Sequence, residues 1–117
     1  MRTAIARSTA QLSRDLRVRS IFVRTHTSTS AAVVSATRPA APIVALTADA
    51  AMARRLSLSW GVVPRTIEAE EFSQPRGPAR RLAVEEGLAS DGDTILLLSG
   101  FGKDEPTITV LPVGERR

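Results

Sequence analysis

The chain has 117 residues with a mass of 12.5 kDa, 43% of them apolar and 24% charged, a composition that suits one globular domain, read here as residues 1–117. A large barrel enzyme needs on the order of 250 residues and is excluded by length. The absence of cysteine excludes disulfides and thiolate chemistry, and a lone His26 argues against a His-based metal centre or catalytic relay. No apolar run approaches the ~18–20 residues that span a bilayer.

The net charge of +4 is unevenly placed. Residues 1–55 hold nine Arg against Asp15 and Asp49, whereas residues 56–117 are net acidic. A single-strand nucleic-acid groove interleaves such cations with aromatic platforms. Here Phe22, Trp60, Phe72 and Phe101 stand apart from the basic cluster, so no nucleic-acid partner is expected. A solvated Arg face or a polyanionic small ligand fits the charge better.

The first segment carries Arg2, Arg7, Arg14, Arg17 and Arg19 with only Asp15 as an acid. An organelle transit peptide has this composition. An amphipathic helix of the fold, with Ile5, Thr9, Leu12 and Leu16 on one face, is the alternative we adopt, because it leads into a strand without a linker. Arg19–Arg24 is a short β-branched and aromatic run, a buried strand. A hydroxyl-rich turn, Thr25–Ser30, and a helix over Ala31–Thr37 follow, ended at Arg38-Pro39. Ile43–Leu46 reads as a parallel strand buried on both faces. Thr47 is the expected N-cap of a helix over Asp49–Ser59, with Met52, Leu56 and Trp60 inward and Gly61 closing it. Val62–Ile67 is a strand that Pro64 consigns to an edge. Gly77-Pro78 opens a helix through Glu86, stopped by Gly87. Asp91-Gly92-Asp93 turns into a central strand, Thr94–Leu98, and the short loop Ser99–Pro106 leads to an antiparallel last strand, Thr107–Leu111.

This alternation predicts an α/β three-layer sandwich: a five-stranded, mostly parallel sheet with one antiparallel strand and helices on both faces. Ligands of such sheets gather at the carboxyl ends of the strands. Two segments fall there. Thr25, His26, Thr27, Ser28, Thr29 and Ser30 surround a helix N-terminus, whose free N–H groups favour a phosphate, with Arg24 or His26 to add charge. The same hydroxyls are equally suited to capping the helix and turn. The second segment contributes Gly100, Gly102 and Lys103, but its spacing does not match a GxxxxGK[ST] phosphate loop. Glu68, Glu70, Glu71, Glu85 and Glu86 read as solvent faces. No catalytic residue and no metal ligand is assigned.

Two stretches, Arg38–Thr47 (RPAAPIVALT) and Ala53–Pro64 (ARRLSLSWGVVP), resemble the C-terminal α/β domain of pyruvate kinase. The Ala-rich first helix, the strand ending at Thr25, the hydroxyl turn, Gly92-Asp93-Thr94 and Ser99-Gly100 keep that family's order, so the similarity runs from about residue 4 to 113. The resemblance implies a domain that packs on a catalytic barrel and a neighbouring subunit, and that binds a phosphorylated allosteric effector in many members. It places the phosphate-binding turn at Thr25–Ser30, with Thr25, Thr27 and Ser30 keeping hydroxyls. Ser28 stands where Gly is usual, Thr29 where Arg is common, and Thr109 where Asn is characteristic.

The resemblance further implies that the phosphoenolpyruvate, ADP, magnesium and potassium sites belong to the barrel. This chain then needs no cofactor of its own and is not expected to be active as an enzyme by itself. Its expected partners are a phosphorylated small molecule and either a barrel-containing protein or further copies of itself, with no membrane involved. Its expected place is the cytoplasm. The alternatives are a free-standing phosphometabolite sensor and a degenerate remnant.

Overall fold

The structure, a computed structural model, describes residues 2–25, 28–37, 39–58, 61–99 and 107–113. The elements run α1 (Arg2–Asp15), β1 (Ser20–Arg24), α2 (Ser28–Ala36), β2 (Ile43–Thr47), α3 (Ala50–Leu56), β3 (Val62–Thr66), α4 (Ala69–Ser73), α5 (Arg76–Glu85), β4 (Thr94–Ser99) and β5 (Thr107–Pro112). The five strands form one sheet in the order β3-β2-β1-β4-β5. All neighbours are parallel except β4 and β5, which pair antiparallel from Thr94↔Pro112 to Ser99↔Thr107. The expected α/β sandwich is the observed one.

Strand periodicity divides the core in two, since successive side chains leave opposite faces of a sheet. Ile21 and Val23, Ile43 and Ala45, and Leu96 and Leu98 face one way, packed with Ala6, Ala31, Val34 and Leu56 of α1, α2 and α3. Phe22, Val44, Leu46, Ile95 and Leu97 face the other way, against Ala79 and Ala83 of α5 and with Phe72 of α4 at the margin. Phe22, Ile21, Leu46, Leu56 and Leu96 are fully buried; each such side chain contributes about 1.5–3 kcal/mol from burial. Pro64 lies in β3, an edge strand, where its missing N–H interrupts no second ladder.

Four sequence expectations are corrected. The buried face of α1 is made of Ala6, Thr9, Ala10 and Ser13, with Ile5 and Leu12 at its margin, whereas Leu16 is exposed. The helix ends at Asp15, before Leu16 can join its stripe. Small residues bring α1 close to its neighbours, and the two buried hydroxyls are satisfied within the helix: Thr9 donates to the Ile5 carbonyl at 2.8 Å and Ser13 to the Ala10 carbonyl at 2.7 Å.

At the second correction, α2 begins at Ser28, so Ser28, Thr29 and Ser30 belong to the helix and not to a preceding turn. Third, the N-cap of α3 is Asp49, whose carboxylate accepts from the Ala51 N–H at 2.9 Å, while Thr47 holds the Asp49 N–H at 3.1 Å. Asp at this place contributes about 1 kcal/mol relative to Ala. Fourth, Glu70 and Glu71 lie in a short helix, α4, that periodicity cannot reveal in five residues. The Glu71 carboxylate turns back to accept the Glu68 N–H at 3.1 Å, stabilising its first turn.

The ends of α1 and α5 share one geometry. After α5, Leu88 N–H reaches the Ala83 carbonyl at 2.8 Å and Gly87 N–H the Val84 carbonyl at 3.1 Å, with Gly87 at φ +71°. After α1, Val18 N–H reaches Ser13 at 3.1 Å and Arg17 N–H reaches Arg14 at 3.3 Å, but the left-handed residue is Arg17 at φ +52°. Glycine is the usual occupant of this Schellman position, and a side chain with a Cβ costs about 1 kcal/mol there.

Candidate functional site

The carboxyl ends of β1, β2 and β4 form one edge of the sheet, and α2 starts directly beyond β1. Thr25, 1% exposed, is anchored by its N–H to the Leu46 carbonyl at 3.0 Å. Three residues later, Ser28, Thr29 and Ser30 supply the first turn of the nine-residue α2, which has no acidic residue there. The topology therefore brings Thr25 and the N-terminus of α2 to one place, where the positive end of the helix dipole favours an anion. His26 and Thr27 lie outside the described residues, as do Gly100, Gly102 and Lys103 of the second candidate segment. Ser99, which precedes that segment, is the last residue of β4 and pairs with Thr107.

Arg24 was one expected source of charge at this turn. It turns instead to the face of α4, on the same side as Phe22: its Nη1 donates to the Phe72 carbonyl at 2.9 Å, and the guanidinium stands 5.4 Å from the Phe72 ring centroid. A cation over an aromatic face contributes about 0.5–1 kcal/mol at a partly exposed site. Arg24 thus ties α4 to the end of the central strand. Sequence reading missed this role because the partner lies 48 residues away in a helix too short to be seen.

Glu71 and Glu86 are not simple solvent faces. The Arg81 guanidinium donates to Glu71 at 2.5 Å, binding α4 to α5, and Arg65 of β3 donates to Glu86 at 2.6 Å. The hydrogen bond from Arg81, helped by the Glu68 N–H, holds the Glu71 carboxyl below its ordinary range. The Arg65 guanidinium is raised by its bond to Glu86. Among the described residues no three of His, Cys, Asp and Glu stand together as a metal site. No helix among them is long and apolar enough to cross a membrane.

A five-stranded, mostly parallel α/β sandwich with a helix start at the carboxyl ends of its strands is the class of fold that the structure defines. Comparison with known proteins narrows the class. The sequence profile of the family described as "Pyruvate kinase, alpha/beta domain" matches residues 3–110, and the chain belongs to that family. It is 38% identical over 101 residues to a pyruvate kinase of Agrobacterium vitis, covering 84% of this chain and 21% of the relative. A Methylorubrum extorquens pyruvate kinase is 35% identical over 98 residues, covering 83% of this chain and 20% of the relative. Among solved structures, Cryptosporidium parvum pyruvate kinase in complex with ADP superposes with a TM-score of 0.85 at 25% identity, over 97% of this chain and 24% of that one. The chain spans about a fifth of the length of the curated relatives it matches.

Proposed function

We propose that this chain is the regulatory and assembly module of a pyruvate kinase: residues 1–117 act as one domain that binds a phosphorylated small molecule at the β1–α2 edge and docks on a catalytic barrel or on further copies of itself. The observation that carries this reading is the extent of the match, which covers nearly all of the chain and only about a fifth of each relative.

Conversion of phosphoenolpyruvate and ADP to pyruvate and ATP is the work of the whole enzyme in this family, and this chain contributes binding and coupling to it. By the family resemblance, magnesium and potassium would be held by the barrel. At the effector edge, Thr25 and the first turn of α2 supply hydrogen-bond donors to the phosphate, with Thr27 and Ser30 as the side chains that decide affinity. Ser28 in place of the usual Gly limits how closely the backbone approaches, and Thr29 in place of Arg removes one bidentate charge contact. A modest affinity follows. The proposed location is the cytoplasm.

Two measurements test the reading. Affinity purification of the native chain from its own cells should bring down a barrel-containing pyruvate kinase polypeptide; a chain recovered alone would overturn the docking half. Sugar monophosphates and bisphosphates should raise the melting temperature by the binding linkage, and Thr27→Ala with Ser30→Ala should abolish that rise. A rise that survives the double substitution would move the effector away from this turn.

A further inference from the structure

At the opposite end of the sheet, an open cleft of about 600 Å³ lies between the end of α1, the segment Ala40–Pro42 and the turn after α5. Arg14, Arg17 and Arg19 line it, over an apolar floor that includes Val18, Pro42 and Leu88. Its volume is within the range of small-molecule sites. Asp93 stands 3.9 Å from the Arg19 Nε, and Arg14 donates to Gln11 at 3.1 Å, which in turn donates to Asp15 at 2.9 Å. Three arginines therefore line one concavity, and Asp93 is the one direct ion-pair partner of the three among the described residues.

Arg17 gives the cleft its second peculiarity. It is the one non-glycine residue among the described residues with positive φ, at the position that closes α1, where α5 uses Gly87 for the same geometry. The left-handed backbone places a cation at the cleft where glycine would serve the fold better. A cation near a helix carboxyl end also complements the dipole, but Arg14 in the last turn already does so.

We propose that this cleft is a second anion site, for a small molecule carrying two or more phosphate charges, separate from the β1–α2 edge. The strands between the two ends are five residues long, so the sites are separated by roughly 15–20 Å. Planar guanidinium groups suit such a ligand because each can donate two parallel hydrogen bonds to one phosphate. The apolar floor would carry the uncharged body of the ligand.

The test uses the full chain, labelled with ¹⁵N and titrated with pyrophosphate and with a sugar bisphosphate. Binding at the cleft should shift the amides of Arg17, Val18, Arg19 and Gly87, and should weaken as salt is raised. Arg17→Gly is the informative variant, because it suits the backbone and should leave the fold intact while weakening binding roughly tenfold. Thr27→Ala with Ser30→Ala should leave the cleft titration unchanged, which separates failure here from failure of the effector edge. Shifts confined to the residues around α2, no shifts at all, or an Arg17→Gly chain that binds as tightly as the native one would each overturn the proposal.

Discussion

Ser20 shows how a single residue can work against the fold that holds it. It opens β1, is fully buried, and its hydroxyl has no hydrogen-bond partner among the described residues. A buried hydroxyl left unpaired costs about 1–3 kcal/mol. Ser20→Ala should therefore stabilise the chain by about 1 kcal/mol, read as a higher denaturation midpoint with an unchanged slope; a loss of stability would mean that the hydroxyl finds a partner in solution. The neighbouring polar residues behave differently. Thr9 and Ser13 are as buried as Ser20, but each donates to a carbonyl of its own helix. A strand offers no such carbonyl one turn back.

At the scale of elements, the helices differ in how they are held. The first three bury small and aliphatic side chains against one sheet face. The α4–α5 layer relies on side-chain links as well: Arg24 to the Phe72 carbonyl, and Arg81 to Glu71. The second link carries a pH dependence whose sign is fixed. The folded Glu71 carboxyl is held below its ordinary value of 4.5, so its contribution is fully present above that value and is lost as pH falls through the depressed folded value. A carboxyl NMR titration should find Glu71 titrating below 4.5 in the native chain and moving up in Arg81→Ala. Native titration at the ordinary value would remove the link from solution. Screening makes its effect on stability small.

For the whole molecule, stability should grade outward from the middle of the sheet. β1 lies between β2 and β4, and all three are buried almost throughout, whereas β3 and β5 are edges with Val63 and Val110 exposed. Amides of Ile21–Val23, Val44–Leu46 and Leu96–Leu98 should thus exchange most slowly, by global opening, and those of β3 and β5 by easier local opening. Equal protection of an edge strand would instead point to a partner covering it. That outcome bears directly on the proposed docking, because β3 and β5 each pair with a single strand among the described residues.

Most of the architecture is legible along the chain. Continuous apolar runs such as Ile43–Leu46 and Ile95–Leu98 define interior strands, Pro64 marks an edge, Gly87 stops α5, and strand–helix alternation demands a mostly parallel sheet. These are local signals, set by backbone sterics and by the period at which side chains are buried. The hydroxyls of Thr25–Ser30 are likewise visible as a candidate, and topology adds that Thr25 is anchored to β2 while Ser28–Ser30 start a helix. Tertiary structure alone decides the rest. Arg24 faces α4 because strand parity puts it on the Phe22 side, α4 is tied to α5 and β1 by links that reach across 10 and 48 residues, and Arg14, Arg17 and Arg19 share one cleft because α1 ends in a left-handed turn. Such contacts join residues far apart in sequence or reversed by a turn, and no periodicity along the chain records them.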